Sequence, residues 1–100
     1  MTNKKEIYEV PNYRNINAYY VPATNTRGDR VCLEEKMRYN DHKTARKYFS
    51  YDYKFGDVQK QAFHILQNAG FKVMARSATL DKYIFLCDNW GDDYIKISDL

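Results

Sequence analysis

The chain has 100 residues, a length typical of a single domain that folds without a metal or a disulfide. Its apolar fraction of 44% and charged fraction of 29% are ordinary for a globular protein and argue against intrinsic disorder. Residues 1–54 carry 11 Lys and Arg against 7 Asp and Glu, whereas residues 55–100 carry 5 against 6. This uneven charge indicates an anionic partner for the first half.

The N-terminal segment, residues 1–16, is polar and without a clean period, which predicts a partly ordered arm before a single domain at residues 17–100. Strand-forming residues fill 17–24. Pro22 cannot donate to a ladder, so this segment is either an edge strand or a strand that ends there. A turn at 25–29 leads to a second strand, Asp29–Met37, in which apolar and polar residues alternate.

A polar loop at 39–43 precedes a third predicted strand, Thr44–Tyr53, with Arg46 and Tyr48 on its outward face. The next element is a helix, because apolar residues recur with a period of 3.6 residues. Asp57 can cap its first turn, and Gly70 suits a left-handed exit. The predicted apolar stripe consists of Val58, Ala62, Ile65, Leu66 and Ala69.

Two further strands, Phe71–Ala78 and Lys82–Asp88, are predicted to form a hairpin after the helix. The run Tyr83–Cys87 is apolar on both parities, which predicts a central strand covered on both faces. A short last strand, Tyr94–Ile97, would be the sixth. The order β-β-β-α-β-β predicts an α+β fold with a mostly antiparallel sheet of five to six strands, packed on one face by a single helix. The predicted sheet core is Val31, Leu33, Phe49, Val73 and Phe85.

Residues that could perform chemistry are scattered, which predicts a binding protein with no catalytic residues, no metal and no cofactor. The four glycines do not have the spacing of a phosphate loop. Cys32, His42, His64 and Cys87 lack metal-ligand spacing. A small hydrolase with a Cys–His pair is an open alternative, because catalytic partners meet in space rather than in sequence.

Two features of the sequence bear on the cellular compartment. No apolar segment follows Met1, and no run approaches the length of a membrane span. We therefore expect a cytoplasmic protein with no membrane partner, in which Cys32 and Cys87 are free thiols.

A basic, aromatic segment gives the strongest functional signal. Cations that neutralise phosphates beside rings that stack on bases are typical of single-stranded nucleic-acid sites. A solvated strand end and a polar hairpin turn would also explain these residues. The predicted nucleic-acid-binding residues are Arg27, Arg30, Lys36, Arg38, Lys43, Arg46, Lys47 and Tyr48.

The segment Tyr20–Arg30, the triplet Tyr51-Asp52-Tyr53, the helix and its Gly70–Val73 exit together resemble small uncharacterised proteins encoded by bacteriophages and conjugative elements. The resemblance implies a bacterial cytoplasm and one of two roles, which are handling nucleic acid or blocking a host defence protein. Nucleic-acid binding is the leading hypothesis. The alternative is a protein-binding inhibitor of a host nuclease or defence complex, although a net charge of +3 speaks against an inhibitor that mimics nucleic acid.

Overall fold

The structure, a computed structural model, describes residues 4–36 and 44–100. Its regular elements are β1 (Arg14–Val21), β2 (Arg30–Lys36), β3 (Thr44–Ser50), α1 (Val58–Ala69), β4 (Val73–Ala78) and β5 (Tyr83–Cys87). Single 3₁₀ turns occur at Ile7–Glu9, Tyr53–Phe55 and Ile97–Asp99. No helix among the described residues is long and apolar enough to cross a membrane.

The five strands form one antiparallel sheet in the order β3-β2-β1-β5-β4, which confirms the predicted α+β fold. β1 occupies the centre, where Ala18 lies between Leu33 of β2 and Tyr83 of β5. Pro22 therefore follows the end of a central strand and does not mark an edge. The strand begins at Arg14, earlier than the Asn17 boundary suggested by sequence, because Arg14 and Ile16 already pair with β5.

One face of the sheet carries α1. The Asp57 carboxylate accepts a hydrogen bond of 2.8 Å from the Lys60 backbone N–H, and Gly70 ends the helix with a φ of 101°. A positive φ is unstrained only for glycine, so the exit needs this residue. The predicted stripe packs on the sheet as expected, with Ile65 and Ala69 only partly buried. The buried core also contains Ile16, Ala18, Phe71, Cys87 and Ile97.

Several predicted boundaries are wrong for local reasons. The third strand ends at Ser50 rather than Tyr53, because the Asp52 carboxylate accepts the Lys54 N–H and starts a 3₁₀ turn. The hairpin strand begins at Val73 rather than Phe71, whose N–H bonds back to the last turn of α1. Met37, the predicted end of strand two, lies outside the described residues.

The chain after β5 contains no sixth strand within the described residues. Ile97, predicted in a strand, instead begins a 3₁₀ turn and is buried in the same core as the α1 stripe. This turn contacts β2 and β3, so the C-terminal segment crosses the helix side of the sheet rather than extending its edge. The segment therefore buries Ile97 in the core and does not pair with a strand.

β5 lies inside the sheet between β1 and β4, but the prediction that both of its faces are covered holds only on the helix side. Phe85 and Cys87 are buried there, whereas Ile84 and Leu86 on the other face are half-buried. The apolar run correctly predicts an interior strand. Apolar residues on both faces of a strand do not, however, show that a layer of structure covers each face.

A candidate nucleic-acid interface on the open face

We call the sheet surface that points away from α1 the open face. Strand register assigns its side chains, because successive residues alternate between the two faces. The open face consists of Asn15, Asn17, Tyr19, Val21, Arg30, Cys32, Glu34, Lys36, Thr44, Arg46, Tyr48, Ser50, Ala75, Ser77, Lys82, Ile84 and Leu86.

Tyr48 lies near the β3 edge of this face. Its side chain is 45% exposed, and the Arg30 guanidinium lies 4.8 Å from the ring centroid. Cys32 is directly between Tyr48 and Tyr19 in the strand register. Although it points to the open face, Cys32 is completely buried, so its neighbours on this face cover it. The result is a packed aromatic platform with a cation beside it.

Glu34 fixes two neighbouring side chains of the open face. Its Oε2 accepts hydrogen bonds from the Tyr19 hydroxyl at 3.0 Å and from Arg46 Nε at 2.7 Å. Burial alone would raise the pKa of Glu34, but these donors outweigh it and the pKa is lowered. Glu34 is thus ionised near neutral pH and holds Arg46 in place while leaving its outer N–H groups to a ligand.

A hollow of about 540 Å³ occupies the end of the open face near the start of β1. Asn17 Nδ2 donates to Asn15 Oδ1 at 3.0 Å, and Trp90 Nε1 donates to the Asn12 carbonyl at 2.6 Å. Amide side chains carry both donors and acceptors, which suits the edges of unpaired bases. Its other lining residues include Tyr13, Glu34, Lys36, Lys82 and Ile84.

A buried ion pair forms part of the wall of this hollow. The Arg14 guanidinium donates to both Glu35 carboxylate oxygens, at 2.9 and 2.8 Å, and to the Ile95 carbonyl at 2.7 Å. It lies 5.0 Å from the Phe71 ring and 4.3 Å from the Tyr94 ring. A fourth hydrogen bond, of 3.4 Å to the Asn89 carbonyl, brings four of its five N–H groups into use, so the guanidinium connects the strands to the C-terminal segment.

The predicted site residues divide into three groups. The structure brings Arg30, Lys36, Arg46 and Tyr48 together on the open face. Lys47 instead lies on the helix side, opposite Leu33. Arg27 belongs to an exposed turn in which its backbone N–H donates to the Thr24 hydroxyl, so this N–H is not available to an anion.

Arg38 and Lys43 lie outside the described residues. Lys82 and Tyr19, which the sequence-based prediction omitted, belong to the open face. The signal for Lys82 was available, because it precedes Ile84 by two positions and therefore shares its face.

Of the residues considered for chemistry, His42 lies outside the described residues, and Cys32, His64 and Cys87 do not form a site. Among residues 4–36 and 44–100, no three His, Cys, Asp or Glu side chains are grouped to hold a metal. Cys32 and Cys87 are buried and form no disulfide, and burial raises the pKa of the Cys87 thiol to about 11. His64 is exposed on α1, with its Nε2 2.9 Å from Asn68 Nδ2. A raised thiol pKa weakens a nucleophile, which disfavours the Cys–His alternative.

No family model, curated protein or solved structure matches this chain. The resemblance to phage and conjugative-element proteins therefore stays a prediction, and function has to be inferred from the geometry of the open face.

Proposed function

We propose that this protein binds single-stranded nucleic acid on the open face and catalyses no covalent reaction. The observation that carries the proposal is the grouping of Arg30, Arg46 and Tyr48 on one sheet surface that no helix of the described residues covers. Cations neutralise phosphates, and an aromatic ring stacks on any base, so the combination binds single strands with little sequence preference. Antiparallel sheets with exposed aromatics use the same surface to bind RNA.

The charges of the open face favour an anion. Among its described residues, four cations surround a single carboxylate, Glu34, which is already paired with Arg46. The distance along β2 from Arg30 to Lys36 is about 20 Å, enough for about six stacked nucleotides. The cations are Arg30, Lys36, Arg46 and Lys82.

A sheet face suits a single strand better than a duplex. The bases of a single strand can turn towards Tyr48 and the amides of the hollow while the phosphates meet the cations at the rim. The proposal includes a bacterial cytoplasmic setting, which the sequence resemblance supports.

Fluorescence anisotropy with labelled DNA and RNA single strands of about 12 nucleotides tests the proposal, since a site of this type covers about 4–16 nucleotides. Tyr48→Ala is expected to weaken binding by about 1–3 kcal/mol, because stacking is lost. Arg46→Ala is expected to weaken it through lost charge.

Lys47→Ala is the matched control, because it removes the same charge from the same strand on the opposite face. Absence of binding at the lowest salt, or equal losses for Lys47→Ala and Arg46→Ala, would reject the open face as the site. Capture of a host nuclease or defence protein from nuclease-treated bacterial lysate would then favour the inhibitor alternative.

A further inference from the structure

A second hollow lies on the helix side of the sheet, where β1 ends and α1 begins. Its volume is about 460 Å³, and we call it the aromatic hollow. It has no part in the proposed function, since its strand residues Tyr20 and Tyr83 point to the face opposite Arg46 and Tyr48. The lining residues are Tyr20, Asp29, Tyr51, Tyr53, Asp57, Val58, Leu80, Asp81 and Tyr83.

The tyrosine rings of the aromatic hollow hold one another in fixed orientations. Tyr51 meets Tyr20 edge-on, with ring centroids 5.6 Å apart, and lies 4.7 Å from Tyr53. The hydroxyls of Tyr20 and Tyr53 both donate to Oδ2 of Asp29. Because both hydroxyls donate their hydrogen to Asp29, the hydroxyl oxygens can still accept a hydrogen bond from a ligand. Tyr53 is nevertheless 74% exposed, so its ring is accessible to a ligand.

The aromatic hollow is lined by negative charge, whereas the chain as a whole has a positive net charge. Three carboxylates line it, and no Lys or Arg does so in the part of the chain that the structure describes. Asp57 caps α1, and Asp81 accepts a hydrogen bond of 3.0 Å from the Thr79 hydroxyl. The chain as a whole has a net charge of +3. Within the described residues these carboxylates do not group closely enough to hold a metal ion. An extended cation fits this spacing better than a metal does.

We propose that the aromatic hollow binds the guanidinium group of an arginine side chain presented by a partner peptide. A guanidinium has five N–H donors and no acceptor, which matches a lining of carboxylates and phenol oxygens. Its plane stacks on aromatic rings, and it is more weakly hydrated than an ammonium. Arginine therefore fits these four rings and three acceptors better than lysine does.

NMR titration of the folded chain with Nα-acetyl-arginine methylamide tests this site. We expect the resonances of Tyr20, Tyr51 and Tyr53 to shift and those of Tyr19 and Tyr48 to stay unchanged. The citrulline counterpart has nearly the same shape without the charge and is expected to bind at least tenfold more weakly. The lysine counterpart is also expected to bind more weakly.

Asp29→Asn is expected to weaken arginine binding about tenfold, because one charge-assisted contact is lost. Asp81→Asn is a second variant that leaves the Tyr–Asp29 hydrogen bonds intact. Asp88→Asn is the matched control, since it removes an exposed carboxylate outside the hollow. Equal affinity for arginine and citrulline, or unchanged affinity in both hollow variants, would overturn the proposal. Lysine binding as tight as arginine would overturn the guanidinium assignment.

Discussion

Arg14 carries a buried charge that needs a partner. Its side chain is fully buried, and that of its partner Glu35 is 10% exposed. A charge without its partner in such surroundings is costly, whereas the intact pair is close to neutral for stability. The pair therefore acts as a fixed connection between the central strands and the C-terminal segment.

Replacing Glu35 with Ala is expected to lower the free energy of unfolding by about 3–5 kcal/mol, because Arg14 would remain buried without a counter-charge. Urea denaturation measures the change. The matched control is Glu34→Ala on the half-exposed open face, for which we expect a loss within about 1 kcal/mol. Similar losses for the two variants would show that the Arg14 pair is not buried as described.

Tyr53 gives a prediction for alkaline pH. Its hydrogen bond to Asp29 raises the pKa of the hydroxyl to about 12. Because the pKa is higher in the folded state, the bond contributes its full stabilisation below about pH 10, where an unfolded tyrosine titrates. This contribution is lost as pH rises through about 12, where the folded Tyr53 hydroxyl loses its proton. Asp29→Asn is expected to bring the Tyr53 pKa down towards about 10.

Tyrosine ring ¹³C chemical shifts, followed through a pH titration, measure this pKa. Asp81→Asn serves as the control, because Asp81 does not bond to the Tyr53 hydroxyl. A Tyr53 pKa that is the same in Asp29→Asn and in the unchanged chain would contradict the assigned hydrogen bond.

The sequence predicts the face on which a strand residue lies better than it predicts which distant residues contact that side chain. Alternation alone separates Arg46 from Lys47 onto opposite faces, but a count of basic residues places both in one site. The surroundings of Arg14 depend on Glu35, Phe71 and Ile95, which are distant in sequence and meet only through the sheet. No local pattern could have indicated that contact.

Among the elements, α1 is the one that sequence predicts best. Its period and its two ends, Asp57 and Gly70, are local signals, and the structure shows both in the predicted roles. The sheet order is less accessible to sequence, because pairing of β1 with β5 joins segments at opposite ends of the chain. Pro22 was compatible with an edge and with a strand end, and only tertiary pairing distinguishes the two.

The two large residues of the α1 stripe are expected to differ in their contribution to stability. Leu66 is completely buried, so Leu66→Ala should cost about 2–5 kcal/mol through lost burial and the cavity left behind. Ile65 is only partly buried, and Ile65→Ala should cost less.

Chemical denaturation of both variants measures the difference. The exposed Gln67→Ala is the control and should change stability by no more than about 0.5 kcal/mol. A larger loss for Ile65→Ala than for Leu66→Ala would mean that the helix is rotated from the described orientation.

Two surfaces on opposite sides of the sheet differ in charge. Basic groups dominate the open face, and carboxylates dominate the aromatic hollow on the helix side. Because the two surfaces point in opposite directions, a nucleic acid and an arginine-bearing partner could occupy them at the same time. Net charge averages over this separation and is therefore a poor guide to either surface.

Salt dependence tests the open face as a single electrostatic unit. Each phosphate contact with a single strand makes the slope of log affinity against log salt steeper by about 0.7, so four cations predict a slope of about −3. Arg46→Ala should make the slope shallower by about 0.7, whereas Tyr48→Ala and Lys47→Ala should leave it unchanged. Anisotropy titrations at several salt concentrations give these slopes. A slope that does not respond to Arg46→Ala would contradict phosphate binding at this position.

The central position of β1 also affects how the chain folds while it is being synthesised. β1, β2 and β3 precede β5 in the chain and leave the ribosome before it, but the pairing partner of Arg14 on the other side of β1 is Cys87. Until β5 emerges, one edge of β1 is unpaired, and Ile16 and Ala18 have only part of their final cover. The nascent chain therefore exposes an apolar strand edge until β5 emerges, and chains arrested before β5 should be the form that chaperones bind.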